Sequence, residues 1–234
     1  MSRLDIEKES PLLQNRLLDL IRISDSFFPL GSYTMSQGVE QLVQERLFDE
    51  IGLDKLLDAF LNKIWISSDL RIFHQALKAT RSRDLRGLCI LDRICYVSKI
   101  PEESRNSTTR MGRALLSATD PIGKDSLLTQ VRTLLDRGEI NGVYPVSIAL
   151  VAAELQLGEY GAVSLIYVNL MEIVAALVRL AVIDYIRAQQ ILHEFVSKID
   201  IEAERPLSDL NQSFPIIDIS SMAHESSKNR MFSS

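Results

Sequence analysis

A chain of 234 residues with 46% hydrophobic and 24% charged residues can bury its own core, and matches neither a disordered nor a membrane composition. A formal net charge of -5 and a pI near 5.3 argue against general attraction to nucleic acid or to an anionic membrane. With only 10 Gly and 7 Pro to make turns, the chain is expected to be an all-α single domain, a bundle of about eight to ten helices.

Residues 1–10 mix charged and small residues without an apolar run, so no signal peptide is expected and the compartment reads as cytoplasmic. They are assigned to an N-terminal arm, 11–212 to the helical domain and 213–234 to a C-terminal tail. Leu13, Leu17, Leu20 and Ile21 predict a helix over 12–23, which Pro29 and Gly31 break. A second helix is expected from about Ser32 through Gly38 to Glu45. Leu53, Leu56, Leu57, Phe60, Leu61 and Ile64 recur at helical spacing, and Ser67-Ser68-Asp69 offers a cap before another helix over 70–80. Asp84 is placed to cap a helix reaching Ser98. Pro101-Glu102-Glu103 opens the next, its acids matching the positive end of the helix dipole.

Further along, Leu127, Leu128, Val131, Leu134 and Leu135 mark a short helix ended by Arg137-Gly138, and Pro145 suits a helix first turn. Residues 162–183 could span a bilayer by length, but Asn169, Glu172 and Arg179 within them favour the central helix of a bundle. Helix is expected from there to about Lys198. Residues 81–113 carry seven Arg and one Lys against four acids, a possible basic face. Cys89 and Cys95, six apart, read as buried free thiols.

Catalytic and cofactor signatures are missing. The closest approach to a phosphate loop, 118–125, has Ala118 for the first Gly and Asp125 for the final Ser or Thr. His74, His193 and His224 stand far apart without a neighbouring ligand, and the pair Glu102 and Glu103 is explained by its place in a helix first turn. No enzyme, cofactor or metal site is expected.

Three segments are richer than plain bundle parts. In Pro29 to Glu40, small and hydroxyl residues surround Tyr33, and Gly38 in a helix would cost about 1 kcal/mol against Ala, so something should pack closely on it. In Arg105 to Leu116, Arg110 and Arg113 share a helix face beside Gly112 and suit carboxylates or phosphates. The tail from Phe214 keeps Ile216, Ile217, Ile219, Met222, Met231 and Phe232 where a chain end is normally polar.

These segments resemble the urease accessory protein family UreF. Pro29, Gly31, Tyr33, Ser36, Gly38, Val39 and Glu40 match its first motif. Arg105, Thr108, Met111, Gly112, Arg113, Leu115 and Leu116 match its second. Pro215, Asp218, Ile219, Ser221, Met222, His224, Glu225, Arg230, Phe232 and Ser234 match its tail. The chain departs at Met35, where relatives carry Tyr or His, and at Val182-Ile183-Asp184-Tyr185, which replaces a Pro-x-Gly-Gln run.

The resemblance implies an all-α homodimer without catalysis. It would bind UreD (also called UreH) and the GTPase UreG, and act with them on apo-urease so that nickel enters. Partner contacts are expected from Gly31, Ser32, Tyr33, Ser36, Gln37, Gly38 and Glu40, from Arg110, Gly112, Arg113 and Arg179, and from Asp218, Met222, His224, Glu225 and Arg230. The rivals are an adaptor unrelated to urease and a helical enzyme whose groups converge from distant positions.

Overall fold

Residues 3–31, 35–119, 126–200, 206–227 and 231–232 are described by a computed structural model, with side chains from residue 12 onward. They form helices and connecting turns, with no strand among the described residues. The order is α1 (Arg3–Ser24), α2 (Val39–Gln44), α3 (Leu47–Ile51), α4 (Leu53–Ala59), a π-helical stretch (Phe60–Asp69) and α5 (Leu70–Arg81). Then follow α6 (Leu85–Ser98), α7 (Glu102–Ala118), α8 (Leu127–Asp136), α9 (Tyr144–Glu154), α10 (Gly161–Arg179), α11 (Tyr185–Val196) and α12 (Pro215–Glu225).

Every residue of α9 from Tyr144 to Ala152 is buried, which follows from a sequence apolar on all sides. It is packed by α5, α6, α7, α8 and α10. One core cluster centres on α9. A second joins α4, the π stretch and α11 to the outer side of α10, and takes in Phe214 and Ile217 of the tail. The membrane-length apolar helix is thus the spine between two cores, with 72% of its apolar window buried.

Local signals set several boundaries. Gly87 N–H donates to Asp84 at 2.8 Å, so Asp84 caps α6 as its sequence position predicts. Pro145 lies in the first turn of α9, and Gly138 ends α8 in the left-handed region.

Several expectations are corrected. The helix expected over 12–23 starts at Arg3, and the Leu13, Leu17 and Ile21 side of α1 faces outward. Ser67-Ser68-Asp69 does not start a helix: α4, the π stretch and α5 run on continuously, with Asp69 itself helical. Distant partners claim these side chains. Ser67 donates to the Asn211 carbonyl, Ser68 to Gln212, and Asp69 accepts from Lys99 at 2.9 Å.

Of the helix expected from Ser32 to Glu45, residues 32–34 lie outside the described residues, 35–38 are not helical, and α2 begins at Val39 after Gly38, a left-handed cap at φ 82°. Helix does not continue unbroken to Lys198 either; α10 stops and Asp184 caps α11, accepting from Arg187 N–H at 2.7 Å. Cys95 is buried, but Cys89 is half-buried. The near-match to a phosphate loop falls mostly outside the described residues, as do Ser32, Tyr33 and Arg230.

Candidate functional site

The tail folds back as α12 and packs against α2 and α7, bringing the three unusual segments together. Proline at its start and a run of apolar residues explain the helix; its Ile217 side enters the second core. Ile219 and Met222 remain on the outside, 63% and 43% exposed, joined there by Met231.

At the centre lies His224, with no solvent exposure. Its Nε2 meets Glu40 Oε2 of α2 at 2.8 Å, and its Nδ1 meets Glu103 Oε1 of α7 at 2.8 Å. A ring nitrogen facing a carboxylate oxygen at this distance donates when it carries a proton. Glu40 also accepts the main-chain N–H groups of Met231 at 2.8 Å and Phe232 at 3.2 Å, and the Gln44 amide. Glu225 accepts the Glu103 N–H at 3.1 Å. One buried carboxylate therefore fastens both the helix and the strand of chain beyond it.

Glu103 is thereby corrected. Its helix-start position explains Glu102, but the Glu103 carboxylate is buried and bound to the tail.

Packing tightens the same junction. A Cβ on Gly38 would lie 2.6 Å from Ser221 Oγ and 3.1 Å from the Ile217 carbonyl, so α12 can sit directly on this turn only because it is glycine. Beyond α12, Phe232 is buried and the Arg179 guanidinium lies over its ring at 3.9 Å. Asp218 accepts the Phe214 N–H at 3.3 Å, and burial pushes its carboxyl up.

The second motif supports the wall behind. Gly112 lets α7 touch the chain before α9: an added Cβ would be 2.2 Å from the Gly142 carbonyl. Arg113 donates to the Asn141 carbonyl at 2.8 Å and Arg110 to the Gly31 carbonyl at 3.1 Å, each tying a loop to α7. Ser36 is buried. Gln37 is half-buried in the left-handed region at φ 48°, next to Gly38. Met35, the departure from the family pattern, is buried and accepts from the Ser107 hydroxyl.

Beneath the junction is a cavity of about 50 Å³ whose walls include Gln37, Lys99, Tyr144, Asn169 and Asp218. Lys99 and Asp69 form a buried ion pair in its lining; burial is the largest influence and opposes the lysine charge, but the charge and hydrogen bond of Asp69 with the smaller pull of Cys95 and Glu172 together leave the ammonium raised. Nearby, burial pushes the Glu172 carboxyl up to about 8, against the pull of Gln37 and the charges of Arg110 and Lys99. Sequence reasoning found His224, Glu40 and Glu225 by motif but missed Glu103, Lys99 and Asp69.

What the junction can do chemically is hold the tail segment in place and display Ile219 and Met222 on the outside of α12. Comparison with known proteins agrees with the motif reading. The family model UreF matches residues 47–196. A urease accessory protein UreF from Trichodesmium erythraeum (strain IMS101) is 30% identical over 222 residues, covering 92% of this chain and 95% of its own length. The urease accessory protein UreF 2 of Brucella canis (strain ATCC 23365 / NCTC 10854 / RM-666) is 29% identical, with 92% and 91% covered. That of Yersinia pseudotuberculosis serotype IB (strain PB1/+), named UreF, is also 29% identical, with 92% and 98% covered. With most of the fold matched by the family model and nearly the whole chain by these relatives, this chain belongs to the UreF family of urease accessory proteins.

Proposed function

We propose that this chain is a non-catalytic adaptor of urease maturation: it holds UreD (UreH) and the GTPase UreG together, as a homodimer in the cytoplasm, and gates GTP-dependent nickel entry into apo-urease. The observation that carries this reading is the docked tail. Helix α12 brings Ile219 and Met222 to its outer side, His224 holds it to Glu40 and Glu103, and Glu40 also binds the Met231 and Phe232 main chain. A surface pre-ordered in this way does not lose affinity to the ordering of a free chain end on binding. Ile219 and Met222 are the contact residues for UreD; the loop around Ser36 and Gln37, with Arg110 and Arg113, serves UreG.

The test is co-purification of the wild-type chain and an Ile219→Ser, Met222→Ser variant with UreD and UreG. Both substitutions lie on the outside of α12, so the His224 clamp stays intact. UreD binding is expected to fall at least tenfold in the variant. Unchanged affinity would remove the tail from the interface, and failure of the wild-type chain to bind either protein would defeat the adaptor reading itself.

A further inference from the structure

The seven arginines of 81–113 do not form one basic face, because the fold engages most of them. Arg81 pairs with Glu159 at 2.8 Å, Arg105 donates to the Lys99 and Ile100 carbonyls, and Arg110 and Arg113 hold loops. Arg83 has its own interaction. That leaves Arg86 and Arg93, both exposed on α6 and in no ion pair or hydrogen bond among the described residues.

Their neighbours on that face are apolar. At 100° per residue, Arg86, Ile90, Arg93 and Val97 fall within about 60° of one another, a stripe roughly 16 Å long whose two arginines leave the helix about 10 Å apart along its axis. Ile90 is 51% exposed and Val97 64%, and Ile100 continues the apolar edge past the helix end. Beside the stripe is a depression of about 350 Å³, between α6 and the 138–141 turn, walled by Arg86, Cys89, Ile90, Arg93 and Ile140 and, on the turn side, by Glu139 and the turn-bound Asp92. Its rigid side is the turn itself, which Asp92 fixes by accepting the N–H groups of Asn141, Gly142 and Val143 at 2.7 to 2.9 Å.

We infer that this face of α6 docks an acidic, amphipathic segment of a partner protein, an apolar side chain entering the depression and two carboxylates about 10 Å apart meeting Arg86 and Arg93. Guanidinium is the cation whose planar fork suits carboxylates, and unpaired arginines flanking exposed isoleucine and valine make the complement of such a segment. A second copy fits less well, since pairing this stripe with itself gathers four guanidiniums, and the carboxylate each copy brings, Glu139 in the depression wall, already faces Arg137 at 3.9 Å. A lipid surface fits poorly too, because polybasic lipid sites use about four to eight cations where this face offers two.

The inference rests on the proposed role in urease maturation, in that the partner is sought among UreD, UreG and apo-urease. Each is purified and titrated against the wild-type chain, an Arg86→Glu, Arg93→Glu variant and an Ile90→Ser variant, at two salt concentrations. All three positions are solvent-exposed, and matching thermal melts establish that the variants fold. The expected result is that one complex weakens at least tenfold in the charge-reversed variant, loses much of its salt dependence, and weakens severalfold with Ile90→Ser. Retention of every wild-type complex within about twofold overturns the inference and leaves the maturation role standing. So does an effect confined to self-association or to phosphatidylserine vesicles. If the wild-type chain binds none of the three proteins, the maturation reading falls and this inference with it.

Discussion

His224 and Glu103 lie 121 residues apart in sequence, yet their side chains meet at 2.8 Å with the imidazole closed off from solvent. Glu40 completes the contact from the other side. Removing the ring takes a close partner from each of two buried carboxylates, which costs more than the pair contributes, although Glu40 keeps its Met231, Phe232 and Gln44 donors. His224→Ala is therefore expected to lose about 3 kcal/mol of folding stability, read by urea denaturation, and to release the tail to proteolysis at the Glu40-bound segment. A loss below about 1 kcal/mol would mean that the clamp is loose.

Glu172 makes stability depend on pH with a definite sign. Its folded carboxyl is pushed up to about 8 by burial, from an ordinary value of 4.5. Between these values the folded state holds a proton that the unfolded state has released, so stability falls as pH rises through this window and the penalty is absent below about 4.5. Glu172→Gln keeps the shape without the ionisation. The variant should gain on the wild-type protein steadily between pH 5 and 8, by an amount on the order of a few kcal/mol at the upper end. Parallel stability profiles for the two proteins would show that Glu172 does not ionise in this range.

The parts of the fold that could be read from sequence are those fixed by neighbours along the chain. Asp84 capping α6, Pro145 opening α9 and the apolar period of α4 all act within a turn or two. What could not be read depends on distant partners. Ser67-Ser68-Asp69 has the composition of a helix start, but Gln212, Asn211 and Lys99 bind these side chains and a π stretch carries the helix through. Glu103 carries the same lesson for the candidate site. A carboxylate in a helix first turn has a sufficient local explanation, and nothing in its surroundings along the chain points to His224. Motif likeness named His224 without its partners; only the packing of α12 on α2 and α7 supplies them.

The departure at Val182-Ile183-Asp184-Tyr185 has a local role that can be tested. Asp184 accepts the Arg187 N–H at 2.7 Å and sits extended before α11, the geometry of an N-cap. Asp184→Ala should cost about 1 kcal/mol in urea denaturation, whereas Asp184→Ser should cost less than half as much. Equal losses for the two variants would assign the effect to charge instead of capping.

Within the proposed adaptor role, Arg110 and Arg113 offer a test between gating and direct help in GTP hydrolysis. An arginine finger must reach the transferring phosphate with its guanidinium, and a well-placed one contributes about 10³ to 10⁵ in rate. Here both guanidiniums are spent on main-chain carbonyls, Arg110 on Gly31 and Arg113 on Asn141, and both side chains stem from the middle of α7. They hold the loops on either side of the helix, so under the proposed adaptor role removing them would alter the surface offered to UreG and not the chemistry. Arg110→Ala and Arg113→Ala are expected to weaken UreG binding severalfold while changing turnover of the saturated complex by less than about tenfold. The measurement is GTP hydrolysis by UreG titrated with each variant, which separates affinity from maximal rate. A fall of more than about a hundredfold in the maximal rate, with binding intact, would make that arginine a finger and overturn the gating assignment.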